Sequence, residues 1–395
     1  MNKTSAFKWT PVNVVLLLLF GYLLFRSTTI GISFYVLLFS LLVYIFVMRP
    51  KMFDRMSAYL MGFAVSYALL SFNESDTFNP HHIVYLLAPN AFYFWGKYII
   101  KCCNTKQSIV SFLLFVLIFF ALNTYVLAVK DIIDVGLVNP YRGMLRAGDT
   151  DVVMPATLFG LNVSLGLTGL AIYLSHPRGN RTIVSYGFLL VLGFSLLTTI
   201  HLINRTGIIV LIACTLIVYL YSFKSKRGKV GYFIGIVLFV IMVYCLLSNS
   251  FTGGSEAIEA YSSREQVEGG GLADFGNRGW RWLDAIQRIF TQPLGWSGTV
   301  SYNYAHNLWL DVAMLRGIIP FMFLLFATWR SAKQVLKLMR IKKDTVVAVF
   351  IALYACFFLT SFVEPVMIGF DVYFYLFCML WGMQQSYLRA NHINI

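Results

Sequence analysis

The chain has 395 residues, 58% of them apolar, 17% aromatic and only 12% charged. Soluble domains carry roughly a quarter charged residues, so this composition leaves a water-soluble globule short of charge and fits lipid as the main solvent. The formal net charge of +14 would hint at nucleic acid in a soluble protein, but in a membrane chain it is first a question of which side each charge occupies.

Apolar stretches of about 20 residues are read as membrane-spanning helices. Twelve occur, at 11–25, 29–48, 56–72, 83–100, 108–128, 152–174, 183–203, 207–223, 230–248, 307–328, 345–363 and 366–386. They predict an all-α polytopic membrane protein forming a single membrane domain over 1–395. The first stretch starts at Pro11, which the first turn of a helix tolerates. No small-residue cleavage site follows, so it is expected to be a retained helix. Four of the six cysteines lie inside apolar runs, and neither a CxxC pair nor a Cys/His cluster of zinc-site spacing is present.

Orientation follows from the excess of Lys and Arg on the cytoplasmic side. With the N-terminus inside, 21 of the 31 basic residues fall on the inner side, joined only by the acids Asp54 and Asp344. The inner side then sums to +19 and the outer side to −5. Both termini are expected in the cytoplasm.

The outer side has two substantial loops, 130–151 and 249–305. The larger contains Gly253-Gly254 and Gly269-Gly270-Gly271, which break regular structure. An amphipathic helix is expected from Arg278 to Pro293, with Trp282, Ile286 and Ile289 on one face and Arg281 and Arg288 on another.

Basic residues on the outer side run against the charge bias, so each is a candidate. Arg205 stands in His-Leu-Ile-Asn-Arg-Thr-Gly, at the junction of two helices, where it either snorkels to the interface or contacts an anion. Arg142, Arg146, Arg278, Arg281 and Arg288 are further candidates, with solvated charges or local salt bridges as their ordinary roles. In Ala305-His306-Asn307-Leu-Trp-Leu-Asp311 the imidazole of His306 can accept a proton from a sugar hydroxyl. Asn307 is placed to cap the helix that follows. Asp311 and Arg316, inside an apolar run, need partners or a polar cavity. Glu364 stands at another outer boundary, before a helix with Pro365 in its first turn. Asp149-Thr-Asp151 matches an acidic metal-holding pattern, yet two acids beside a helix start arise often by chance. No phosphate-binding Gly-rich loop or HExxH occurs, and no cofactor or metal is expected.

Taken in order, Arg205-Thr-Gly207, Arg278-x-x-x-Trp282, Pro293-Leu-Gly and His306-Asn307 followed by Gly317 resemble the O-antigen ligase/O-antigen polymerase family of bacterial inner-membrane glycosyltransferases. The resemblance covers about 183–386 and includes Glu364, where that family often has an acid. It implies a GT-C-like architecture of about twelve membrane helices with a large periplasmic loop, and an active site on the periplasmic face of the inner membrane. It further implies an undecaprenyl-diphosphate-linked oligosaccharide as donor, with no nucleotide sugar and no required metal. Arg205 and Arg278 would bind the donor diphosphate, and His306 would act as base on the acceptor hydroxyl. Asn307, Arg281, Arg142, Arg146, Asp311, Arg316 and Glu364 would line the substrate. The implied partners are that lipid-linked oligosaccharide, membrane lipid and a polysaccharide chain-length regulator.

Within the family a polymerase extends one undecaprenyl-linked glycan with another, whereas a ligase moves the glycan to lipid A-core. Pro320, three residues beyond Gly317, departs from the ligase pattern and favours the polymerase. A transporter or flippase also fits twelve helices. It has no need of a 57-residue outer loop with an Arg/Trp helix, and the chain shows no halves related by a hydropathy repeat. A structural partner of an export complex would leave His306 and Arg278 dispensable.

Overall fold

The computed structural model describes residues 10–25, 38–40, 43, 53–71, 81–139, 143–145, 153–176, 182–222, 278–341, 344–367 and 371–391. Most of the stretches expected at 29–48 and 230–248 lie outside these residues. So do Arg142, Arg146, the Asp149-Thr-Asp151 pattern and the glycine-rich part of the larger loop.

Thirteen α-helices run in order among the described residues. They are α1 (Pro11–Phe25), α2 (Arg55–Ser71), α3 (His81–Cys102), α4 (Lys106–Val135), α5 (Ala156–Ser164), α6 (Gly169–Ser175), α7 (Ile183–His201) and α8 (Arg205–Ser222). After the larger loop come α9 (Gly279–Thr291), α10 (Leu308–Arg316), α11 (Ile318–Leu338), α12 (Thr345–Val363) and α13 (Asp371–Ala390). One small exception to the all-α expectation is an antiparallel ladder pairing β1 (Gly143–Leu145) with β2 (Val153–Pro155), Met144 opposite Met154.

Among the described residues, five segments are long and apolar enough to cross a membrane: Lys106–Val135, Ala156–Ser175, Ile183–His201, Arg205–Ser222 and Thr345–Val363. These mark a multi-pass membrane protein. The second is α5 and α6 joined by a short 3-10 turn at Leu165–Thr168.

Several expected boundaries move. The smaller outer loop starts later than 130, because α4 continues to Val135. The stretch read as one span at 307–328 is two helices. Gly317 takes φ +80° between α10 and α11, a left-handed conformation open mainly to glycine. Pro320 then falls in the first turn of α11, where its missing N–H breaks no helical bond. Pro365 opens no helix either, since α13 begins only at Asp371.

The chain groups into two compact units: residues 1–109, 278–342 and 361–395 in the first, 110–277 and 343–360 in the second. α12 belongs to the second unit up to Thr360, and its last turn belongs to the first.

In the first unit α3 and α13 pack with their backbones nearly touching. A Cβ on Gly96 would strike the Met379 carbonyl, and one on Gly382 the Tyr93 carbonyl, which is the small-residue contact of membrane helix pairs. Asp54 ties these helices to α2. Its carboxylate takes the Met56 and Ser57 amides at 3.1 Å, the Tyr93 hydroxyl at 3.0 Å, the Lys97 ammonium at 2.8 Å and Arg389 at 3.3 Å. A buried carboxylate is costly unless paired and hydrogen-bonded, and here it is both.

The second unit is fastened by polar pairs between apolar helices. The Tyr125 and Ser195 hydroxyls lie 2.7 Å apart, joining α4 to α7, and Asn162 donates to Thr124 at 3.1 Å. Towards the ends of α4 and α7, His201 Nε2 lies 2.7 Å from Asp131, and Asn139 donates to the same carboxylate.

Candidate functional site

α9 carries apolar residues on two sides. Ala285 and Ile289 are buried against Trp296, Tyr302, Ala313 and Met314, with Trp282 packed beside them. Ile286, expected on that face, is 49% exposed, and Leu283 and Phe290 point outward with it. At 100° per residue the face centred on Ala285 and Ile289 reaches Trp282 at its edge, and Ile286 falls beyond that edge.

The segment after α9 explains the Pro-Leu-Gly pattern and its distance from Gly317. Trp296 donates its amide to the Met314 carbonyl at 2.8 Å, and Ile318 donates to the Pro293 carbonyl at 2.8 Å. The Pro293–Trp296 stretch thus lies against the end of α10, so close that a Cβ on Gly317 would run into the Pro293 carbonyl. Both glycines serve this close approach, Gly295 at φ +111° and Gly317 at φ +80°.

The clamp brings the 302–307 loop over α9. Trp282 Nε1 donates to the Ala305 carbonyl at 2.9 Å. Tyr302 donates to Asp284 at 2.7 Å, and burial together with that carboxylate pushes its phenol up to about 12. Asp284 is also held by Arg288 Nε at 2.8 and 2.9 Å, so Arg288 acts in a local i,i+4 pair. Arg281 reaches the Tyr304 carbonyl at 3.4 Å and lies over the Trp280 and Tyr302 rings, 5.5 and 5.8 Å from their centroids.

At the start of α10, Asn307 is the N-cap. Its Oδ1 accepts from the Trp309 and Leu310 amides at 3.2 Å, and its Nδ2 donates to the Phe362 carbonyl at 3.1 Å. Phe362 packs edge-on to Trp282, with ring centroids 5.2 Å apart. Through Asn307 and Phe362 the loop is joined to the chain that carries Glu364.

Glu364 lies between two of the expected site residues. Arg278 Nη2 is 3.7 Å from its Oε1, and His306 Nδ1 is 3.8 Å from its Oε2. Both gaps exceed a hydrogen bond, and in a largely buried site charges at such separations are screened less than in water. The three side chains keep 17% (Arg278), 18% (His306) and 9% (Glu364) of their surface exposed. Burial holds the His306 imidazole below its ordinary value; Glu364 opposes the shift, while Arg278 and Arg281 add to it. The neutral form of His306 is thereby favoured, and Tyr304 stands edge-on to it at 4.8 Å between ring centroids.

His306 also adopts φ +58°; together with Ile203 (φ +52°) it is one of the two described non-glycine residues in the left-handed region. Such a conformation costs about 1–3 kcal/mol and persists only where the surroundings impose it. Asp311, fully buried, supplies part of that constraint: its carboxylate accepts the Ala305 amide at 2.6 Å and the Asn307 amide at 3.1 Å.

Of the residues named from sequence, the fold brings together Arg278, His306, Asn307, Asp311, Glu364 and, at their edge, Arg281. Arg316 points elsewhere, donating to Ser71 at 2.6 Å and lying over the Tyr67 ring. Arg205 belongs to the second unit, as the first residue of α8 after a turn capped by Asn204, whose Oδ1 accepts the Gly207 amide at 3.2 Å. Tyr304 and Phe362 complete the surroundings without standing out in sequence, where their only signal is a place just ahead of a site residue in an aromatic-rich run.

Compared with known families and curated proteins, the chain matches no family model and no curated sequence.

Proposed function

We propose that the chain is a membrane glycosyltransferase that polymerises a surface polysaccharide such as O-antigen, taking a growing glycan from undecaprenyl diphosphate and passing it to an undecaprenyl-linked repeat unit at the periplasmic face. The observation that carries this proposal is the row Arg278–Glu364–His306: a guanidinium and an imidazole on either side of one buried carboxylate. The order of motifs along the chain supports the same chemistry.

In the proposed reaction Glu364 faces Nδ1 of His306, which favours the proton there and leaves Nε2 as the basic nitrogen. Nε2 takes the proton of the acceptor hydroxyl as that oxygen bonds to the anomeric carbon of the donor sugar. The bond from that carbon to the diphosphate oxygen breaks, and undecaprenyl diphosphate leaves with the bonding pair. A positioned base contributes about 10²–10⁴-fold to such a step. Arg278 stabilises the charge gathering on the leaving diphosphate, a planar fork matched to phosphate oxygens.

The test is an assay with purified full-length protein in lipid. Undecaprenyl-linked repeat units are offered alone and then with lipid A-core. A ladder of polymer in the first arm supports the polymerase. Product only with lipid A-core would reassign the chain as a ligase, and no transfer in either arm would sink the enzyme reading.

A further inference from the structure

Asp311 stands one turn inside α10 but acts backwards, on the loop in front of the helix. Its Oδ1 accepts the Ala305 amide at 2.6 Å and its Oδ2 the Asn307 amide at 3.1 Å. The His306 amide, between them, faces the same carboxylate. Consecutive N–H groups converging on one carboxyl group form a backbone nest, a shape made where a left-handed residue alternates with a right-handed one. The left-handed residue is His306, at φ +58°. β-extended or helical backbone at 306 would turn at least one of these amides away from Asp311 and rotate the imidazole away from Glu364.

We propose that Asp311 is the positioning residue of the site: its buried carboxylate holds His306 in the left-handed conformation that aims the imidazole at Glu364 and Arg278. This goes beyond the substrate-lining role the sequence resemblance implies for Asp311, and it rests on the proposed role of His306 only for its consequence in turnover. The carboxylate is fully buried and both of its oxygens are engaged by the loop, which suits it to hold the base and not to touch substrate. Asn307 completes the arrangement from the other side, capping α10 with its oxygen and fixing the Phe362 carbonyl with its amide. The strain at His306 is thereby offset within a single turn of chain.

Asp311→Asn keeps the size of the side chain but turns one acceptor into a donor facing a backbone N–H. In full-length protein in lipid, diethyl pyrocarbonate labelling is followed histidine by histidine by peptide mass spectrometry. The expected result is several-fold faster labelling at His306 with unchanged labelling at His176 and His201, both buried in the second unit. Unchanged labelling at His306 overturns the proposal. If all three histidines label faster, the variant has lost its fold, and Asp311→Glu is read by the same ratio; it keeps the charge and adds one methylene.

Turnover then tests the link to the reaction. A misplaced base costs about 10²-fold in rate, so Asp311→Asn is expected to lower kcat with little change in KM. Asp311→Asn combined with His306→Ala should lose no more activity than His306→Ala alone, because residues acting as one unit are non-additive. Additive losses would mean that Asp311 serves the fold independently of His306, which contradicts the proposal. Altered labelling beside a fully active His306→Ala would keep the positioning role and remove the catalytic one.

Discussion

Substituting Arg281 and substituting Glu364 should move His306 in opposite directions. The imidazole works as a base only when neutral, and burial keeps its titration below the ordinary 6.5, with Arg278 and Arg281 pushing the same way and Glu364 resisting. Wild-type kcat/KM is therefore expected to be flat through neutrality and to fall only at pH values below the usual imidazole range. Glu364→Gln removes the opposing charge and should carry the acid limb to still lower pH. Arg281→Gln removes a cation and should carry it upward. A limb that stays in place in both variants would mean that His306 does not set it. At this scale much is legible in the sequence: Arg278, His306 and Glu364 can be named because each stands in a segment expected to face outward, with chemistry unusual for lipid. That Glu364 lies between the other two cannot be read there, since 57 residues of chain separate it from His306. Asp311 can be named too, but its role escapes the sequence for a physical reason: hydropathy treats it as an acid in a span, whereas its oxygens serve a loop.

Among the elements, hydropathy finds apolar runs but is blind to backbone torsion. It therefore joins α10 and α11 into one span across Gly317. The glycine is visible in sequence, but its reason is not, because that reason is the Pro293 carbonyl arriving from another segment. The close pair α3–α13 gives a test of how far such contacts matter. Gly96→Ala and Gly382→Ala each press a methyl group onto a backbone carbonyl, and overpacking of this kind costs about 1–3 kcal/mol. A methyl group added at Gly193, inside α7, would meet nothing within 4 Å. Gly193→Ala should instead be neutral or stabilising by up to about 1 kcal/mol, from helix propensity alone. Thermal unfolding in detergent should show lowered midpoints for the first two variants and no loss for the third. Equal midpoints in all three would mean that the α3–α13 contact is looser than described.

Over the whole molecule, charge is the strongest signal in the sequence: the expected orientation would divide +14 into +19 inside and −5 outside. The five long apolar segments agree with a multi-pass protein, and the topology itself makes a prediction. Single cysteines placed at Lys226 and Lys342 should react with membrane-impermeant maleimide only after the inner face is opened, and one at Gln287 should react from outside. The reverse pattern would invert the protein and put His306 on the wrong side for a periplasmic donor. The most direct test of the central claim is polymer formation by purified protein from undecaprenyl-linked repeat units, comparing wild type with His306→Ala and Arg278→Ala. The account predicts a ladder from wild type and a loss of at least about 10²-fold in both variants, with folding and insertion retained. A ladder of unchanged length and rate from either variant would contradict it.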